Sequence, residues 1–392
     1  RFPPTAEHCS NAPYVHNLFD SPANGRSRRD VLINRVMMPA RSLRKSLEWV
    51  TTFGREIKRR YKIGLVRQFV YQQYLALKYR IPVDYYYKYR FYLHASKEVS
   101  VGYMYREQII SILGFVNRTL AEADTHTLND KRLFFRQCQK NNIDTVPILA
   151  EFADGKSNIS AQDLNEVDSR GGLFSKPAFG VCGQGTSRWL EMTPGTYEGK
   201  NGRALTGREL IDHLSRLSED GPPLILQKCI FNHPEIAALS GGALSTLRIV
   251  TCRTPSGEIE NLLSVFRMAT GESCTDNFAQ GGIASPIDPE TGLAGNACAW
   301  DPRNSLEPID AHPDTGHSIN GFKIPFWQES LDLAIKSHRT FDDITFVGWD
   351  IAVTGSGGRG VEGKAVRGGE LVQVWRKRRV IRRGGGGGGG GG

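Results

Sequence analysis

The sequence predicts an α+β fold behind a helical N-terminal region, and three observations carry that expectation. Beyond about residue 130, hairpin signatures and short helical stretches are mixed without regular strand–helix–strand alternation. Residues 42–116 read as helical, with basic residues set between the apolar ones. Of 392 residues, 39% are hydrophobic and 23% charged, which is material for a core and not the composition of a disordered chain. Apolar stretches are short, of the kind seen at Ile112-Leu-Gly-Phe-Val116, where a membrane helix needs about 20 residues.

In chain order, residues 1–30 are rich in Pro, Asn, Ser and Arg without periodicity and read as an extended lead-in. Within 42–116, Leu43, Leu47 and Val50 fall on one helical face, as do Phe69, Tyr74 and Leu77 more loosely, and Pro82 breaks the run. Tyr85-Tyr-Tyr-Lys-Tyr-Arg-Phe-Tyr92 is a dense aromatic and basic patch. It reads either as a packed face with Lys and Arg stems over the rings, or as a contact for an anionic surface or polysaccharide. Helices are expected over 131–141, 207–218 and 326–337, and extended chain over 146–152. The continuously apolar 224–230 reads as a buried strand, and 344–353 as another. Pro255-Ser-Gly257 joins strands 246–254 and 258–270, and Asp288-Pro-Glu-Thr-Gly292 turns between two shorter ones. The basic 375–383 and the nine glycines after it offer nothing to bury and read as a disordered tail.

The formal charge of +9 is unevenly spread. Between residues 41 and 90 there are 13 Lys and Arg against Glu48, Glu56 and Asp84, a net of +10, and 376–383 adds six basic residues without an acid. The remainder is therefore acidic, at −7. Basicity lies outside the segment that carries chemical motifs, which argues against nucleic acid as its partner. The seven cysteines show no C-x-x-C and no zinc spacing, and read as reduced thiols of a cytoplasmic protein. No secretory signal is visible from Arg1 onward.

The segment from Leu173 to Leu190 reads as strand, glycine loop, strand, with Lys176 at the end of the first strand and Gly180, Gly183 and Gly185 in the loop. Glycines at that density let backbone N–H groups approach an anion. It is neither a Gly-Lys-Ser/Thr loop nor G-x-G-x-x-G, and a plain flexible hairpin accounts for it equally well. A second lysine, Lys131, opens the helix that follows Asp130. Leu224-Ile-Leu-Gln-Lys-Cys-Ile230 suits either an adenine edge or an ordinary core strand. Asp350 lies inside the apolar Phe346-Val-Gly-Trp-Asp-Ile-Ala-Val353, and Glu362 follows twelve positions later. On adjacent antiparallel strands the two carboxylates would suit Mg²⁺; alternatively Asp350 pairs with an arginine such as Arg248 or Arg267.

In this order, two lysines, a glycine loop, a hinge strand and two late carboxylates resemble the ATP-grasp superfamily. The finer pattern resembles its sugar-transfer-associated branch, related to α-L-glutamate ligases. It is carried by Leu244-Ser-Thr-Leu-Arg-Ile-Val-Thr251, Asp276-Asn-Phe-Ala-Gln-Gly-Gly-Ile283, His312-Pro-Asp-Thr-Gly316 with Ile324-Pro325, and Val347-Gly-Trp-Asp350 with Val361-Glu-Gly363. The likeness covers roughly 128–373.

It implies an ATP-grasp fold, two α+β subdomains clasping ATP: an ATP-binding part about 128–232 and a catalytic part about 233–374, after a basic, aromatic-rich region 31–127. Lys131 and Lys176 match the lysines on the ATP phosphates, and Gly183, Gln184 and Gly185 the loop that folds over them. Gln227, Lys228 and Ile230 match the adenine hinge. Arg248 and Arg267 match arginines near the triphosphate and acyl-phosphate, Asn277 with Gly281 and Gly282 the adjoining loop, and Asp350 and Glu362 the metal ligands. Where such proteins have an Asn two residues after the Glu, this chain has Lys364, whose ammonium would repel Mg²⁺. The implied activity is ligation of a small-molecule or glycan-linked carboxylate to an amine or thiol, using ATP and Mg²⁺. A phosphotransferase and a degenerate nucleotide or polysaccharide binder are the alternatives. His312 and His317 share a polar loop and are candidates to touch the acceptor, although a structural role fits each better.

Overall fold

The computed structural model describes residues 28–79, 81–93, 125–167, 171–179, 185–199, 202–271, 273, 275–302 and 307–364. Residues 1–27 of the expected lead-in, the helical stretch at 94–116, Gly183, Gln184, the 375–392 tail and the side chain of Lys364 lie outside that description. The chain divides into two compact units, one of 1–113 with 301–306 and 369–392, the other of 114–300 with 307–368.

In the first unit, helix α1 (Arg28–Tyr61) begins inside the segment expected to be extended, and a short turn leads to α2 (Leu65–Tyr79). The seam between them is polar where Gln73 bonds both Ser42 and Ser46. It is tight at Gly54, where an added Cβ would stand 2.8 Å from Leu65. The buried stripe of α1 is accordingly Ser42, Ser46, Val50, Phe53 and Ile57. That corrects the expected face: Val50 is inside, whereas Leu43 and Leu47 are 48% and 52% exposed. A seam built on Ser and Gln turns the helix so that the leucines are left at its edge.

The aromatic run follows in α3 (Tyr85–Lys88) and a single 3₁₀ turn, Phe91–Leu93. Tyr85, Tyr86, Tyr87, Tyr89, Phe91 and Tyr92 are all buried. Their rings stack on Trp49, tilt against Phe53 and Tyr61 and meet Tyr71 edge-on, and Lys88 reaches Asp84 at 2.7 Å with its ammonium over the Tyr85 ring. Packing is therefore their role, and the reading of this run as a contact surface is withdrawn.

The second unit opens with α4 (Thr125–Asn129) and α5 (Lys131–Lys140), capped by the Asp130 carboxylate accepting from the Arg132 N–H. Next come β1 (Ile148–Ala153), β2 (Lys156–Ser157), α6 (Ala161–Glu166), β3 (Leu173–Pro177), β4 (Ser187–Thr193), β5 (Thr196–Glu198), β6 (Ala204–Thr206), α7 (Gly207–Glu219) and β7 (Leu224–Lys228). The seven strands form one antiparallel sheet ordered β2-β1-β7-β3-β4-β5-β6. α6 and α7 start in capping boxes, Ser160 with Asp163 and Thr206 with Glu209. Leu164, Leu210 and Leu214 of these helices close a core over Phe152, Leu173, Tyr197 and Leu226.

After α8 (Pro234–Ser240) come β8 (Thr246–Arg253), β9 (Ile259–Met268), β10 (Ile283–Pro286), β11 (Cys298–Ala299), α9 (Trp327–Arg339), β12 (Phe346–Thr354) and β13 (Gly357–Lys364). Their antiparallel sheet is ordered β11-β10-β9-β8-β12-β13. Alternation gives it one apolar face, Leu247, Ile249, Phe266, Met268, Trp349 and Ile351, covered by Leu331 and Ala334 of α9. The two sheets are tied together where Val146 and Gly360 share a hydrogen bond of 3.2 Å, Gly360 donates to the Asp144 carbonyl, and His233 donates its N–H to Val353. Helices on sheets whose described ladders are antiparallel make the architecture α+β; the expected 255–257 hairpin is present, and the helices expected over 131–141, 207–218 and 326–337 run over 131–140, 207–219 and 327–339.

Candidate functional site

The face of the second sheet opposite α9 is where charge gathers. Residues paired across neighbouring strands point to the same side, and the register puts Arg248 (β8), Asp350 (β12) and Glu362 (β13) in one row. Two residues earlier on β8, Thr246 pairs with Arg267 of β9 and shares that side. Arg248 forks onto Asp350, Nε to Oδ1 at 2.5 Å and a terminal nitrogen to Oδ2 at 2.8 Å, and Arg267 reaches Oδ1 at 3.1 Å. Arg267 also approaches Asp276 at 3.5 Å. Asp276 accepts from both the N–H and the hydroxyl of Thr246. Burial pushes the Asp276 carboxyl above its usual range, against the pull of Arg267 and Thr246. Two guanidinium groups and two carboxylates thus balance in a site almost closed to water, since isolated charges there would be costly.

Glu362 extends the row toward the first sheet. Lys131 lies 3.9 Å from its carboxylate and 3.5 Å from the Ala178 carbonyl, which also accepts the Lys131 N–H at 3.0 Å. Ala178 directly follows β3, so the start of α5 is seated at the mouth of the glycine loop. Lys176 stands two residues before that contact, about 7 Å along the strand, and is buried opposite Ile225. Gly185, at the loop's far end, takes φ of +68°, a left-handed conformation that favours glycine.

The hinge candidates divide. Gln227 is inside the sheet, paired to Ile148 and Phe174, with its amide donating to the Val146 carbonyl at 2.9 Å. Its side chain is structural. Lys228 and Ile230 lie past the end of the β1 ladder, exposed and half-buried respectively. Next to them, Phe231 carries the Arg188 guanidinium over its ring at 5.7 Å. Asn277 is half-buried and caps the 3₁₀ turn Phe278–Gln280 through its side-chain oxygen, close in sequence to Asp276 but spent on the turn.

Of the sequence candidates, the register and ion pairs bring together Arg248, Arg267, Asp350, Glu362 and Lys131, with Lys176 at the edge. Asp276 and Thr246 were missed as site residues. Each stands inside a segment singled out for other members, and nothing in spacing tells that Asp276 folds back to β8. His312 is buried, bonded to the Ala269 carbonyl and accepting from Asp314, which leaves it a structural residue of its loop.

A triphosphate fits this donor set: Arg248, Arg267 and Lys131 converge at one face of the second sheet, with Lys176 on β3 two residues from the Ala178 contact. Mg²⁺ fits only together with it. Among the described residues no three His, Cys, Asp or Glu side chains cluster to hold a metal, and Asp350 is engaged by two arginines. Two carboxylates plus substrate phosphates are nevertheless the ligands Mg²⁺ ordinarily takes.

Comparison with known proteins returns no curated relative. Solved structures that are similar include N5-carboxyaminoimidazole synthase from Aspergillus clavatus, 13% identical, covering 62% of this chain and 45% of that one at a TM-score of 0.34. An L-amino acid ligase from Bacillus licheniformis is 11% identical over 63% of this chain and 43% of its own, TM-score 0.36. A D-alanine–D-alanine ligase from Bacillus anthracis is 11% identical over 66% and 65%, TM-score 0.36. The chain spans less than half the length of the first two. The family model for sugar-transfer associated ATP-grasp proteins matches residues 114–371, about two thirds of the sequence. The fold is that of ATP-grasp proteins behind a helical N-terminal region, and the chain belongs to the sugar-transfer associated ATP-grasp family.

Proposed function

We propose that this chain is an ATP-dependent ligase that joins a small-molecule or glycan-linked carboxylate to an amine through an acyl-phosphate. The convergence of Lys131, Glu362 and the end of β3 beside the Arg248–Asp350–Arg267 row carries the reading. In it, residues 128–232 bind ATP and 233–374 supply the catalytic face, in a cytoplasmic protein of cell-surface polysaccharide or peptide-like metabolite biosynthesis.

The chain's own groups act by position and charge. Lys131 and Lys176 neutralise phosphate oxygens at the loop mouth, and the backbone around Gly183, Gln184 and Gly185 closes over them. Lys228 and Ile230 offer backbone groups to the adenine edge. Asp350 and Glu362 would hold Mg²⁺, which supplies neutralisation of developing phosphate charge. Arg248 and Arg267, held ready by Asp350, turn toward the transferred phosphoryl group and the acyl oxygen, with Asn277 nearby. The acid's carboxylate takes the γ-phosphoryl group with loss of ADP, and the amine then displaces phosphate from the acyl carbon, so no nucleophilic side chain is needed.

Hydroxylamine separates the rivals. In the ligase, ATP and the right acid yield an acyl hydroxamate and phosphate; in a phosphotransferase a phosphorylated alcohol forms and no hydroxamate. A non-catalytic binder is favoured by Lys364 and by the commitment of Asp350 to arginines. It predicts no turnover in the native chain and turnover only in Lys364→Asn.

A further inference from the structure

We infer that the outer face of the α1/α2 hairpin docks on an anionic lipid bilayer. Five aliphatic side chains are exposed there: Leu43 at 48% and Leu47 at 52% on α1, with Val66 at 76%, Val70 at 57% and Leu77 at 58% on α2. They form one stripe. Val66, Val70 and Leu77 recur at helical spacing on the line that also carries Gln73, and Gln73 bonds Ser42 and Ser46, the residues just before Leu43 and Leu47. Both sets therefore border the same seam. Val at exposed helical positions gives up helix propensity without the compensation of packing, and soluble monomers rarely leave such a contiguous patch open.

The rim is basic. Arg44, Arg55, Lys58 and Lys62 on α1 and its turn, and Arg67 and Lys78 on α2, follow the stripe at helical spacing and are all exposed, whereas the acids of this stretch are Glu48 and Glu56. Glu56 is itself engaged by Arg59 and Arg60. An apolar centre with long basic side chains at its edges is the pattern of a helix lying in a bilayer interface, where the stems rest in the acyl boundary and the charges meet headgroups. Among the described residues no helix is long and apolar enough to cross a membrane, so the hairpin lies on the surface.

Charge decides the occupant. A second copy laid on this face would press two positive rims together. Nucleic acid would satisfy the rim but leave five aliphatic side chains with nothing to bury against. A bilayer bearing anionic lipid satisfies both. The inference does not rest on the nucleotide site.

The test is sedimentation of the full chain with phosphatidylcholine vesicles, with and without phosphatidylserine. Binding to the anionic vesicles alone is expected, with partitioning about tenfold weaker for Val66→Ser/Val70→Ser/Leu77→Ser at unchanged helical circular dichroism. The pair Leu43→Gln/Leu47→Gln, on the other helix, is expected to weaken binding in the same sense and serves should the first variant not fold. Failure to bind anionic vesicles overturns the inference. So does undiminished binding by both variants, which leaves charge alone, or a concentration-dependent dimer that these substitutions abolish.

Discussion

Asp350 is the residue on which most of the site's charge converges. It holds two buried guanidinium groups in place, so Asp350→Asn leaves the Arg248 fork on a neutral amide while Arg267 keeps Asp276, and is expected to cost about 3–5 kcal/mol in urea unfolding. Glu362→Gln touches a carboxylate whose side chain is 19% exposed and whose lysine stands at 3.9 Å, beyond hydrogen-bond distance, and is expected to cost less than Asp350→Asn while lowering turnover equally. A contrast in stability with none in activity separates scaffold from chemistry. His338 gives a pH dependence. It is fully buried, accepting from Thr251 or donating to it at 2.6 Å and meeting the Ile344 carbonyl at 2.9 Å, and burial pushes its pKa from 6.5 down to about 4. The folded protein then holds fewer protons than the unfolded chain between those values. Stability is thus intact above pH 6.5 and falls as pH drops toward 4, by roughly 3 kcal/mol at the acid end. Urea unfolding across that window measures it, and His338→Gln is expected to flatten the slope. At this scale the sequence was informative where a residue is out of character: a carboxylate in an apolar strand announced itself, and pairing with Arg248 or Arg267 was one of its two readings. Asp276 did not, because its partners come from β8 and β9, brought near only by the register.

Elements were legible where periodicity and turn chemistry agree, as in α5, α7, α9 and the β8–β9 hairpin. Pairing across β12 and β13 was less so. From the turn at Gly355 and Ser356, an unbroken ladder would set Val361 opposite Asp350; a bulge between Asp350 and Ile351 shifts the register so that Glu362 takes that place. Spacing alone does not specify such a bulge. The edge position of Leu43 and Leu47 was illegible for a similar reason, since the polar seam to Gln73, and not apolar spacing, sets the rotation of α1. A steric prediction belongs to the approach of β3. Gly172 takes φ of +97°, and an added Cβ would stand 2.3 Å from the Trp189 carbonyl oxygen, a backbone atom of β4. Gly172→Ala is expected to lower stability by about 1–3 kcal/mol and to loosen the strand leading to Lys176, read as a lower melting temperature and weaker nucleotide binding.

Across the whole chain, two kinds of surface are segregated. Basicity is concentrated in the N-terminal hairpin, whereas the ATP-grasp unit gathers a buried group of compensated charges on one sheet face. Uneven charge along the sequence already separated these regions, and the order of lysines, glycines and carboxylates pointed to the family; what the order could not give is how the start of α5 lodges against Ala178 and Glu362 between the sheets. That junction is the heart of the proposed site, and calorimetric titration of the full chain with Mg²⁺ and ATP addresses it most directly. Saturable binding that weakens at least about tenfold in Lys176→Met and in Lys131→Met, each still folded, is the expected result, since each substitution removes a charge-assisted phosphate contact of the proposed site. No heat of binding in the native chain, or equal affinity in all three proteins, would mean that these lysines and the glycine loop do not receive a triphosphate.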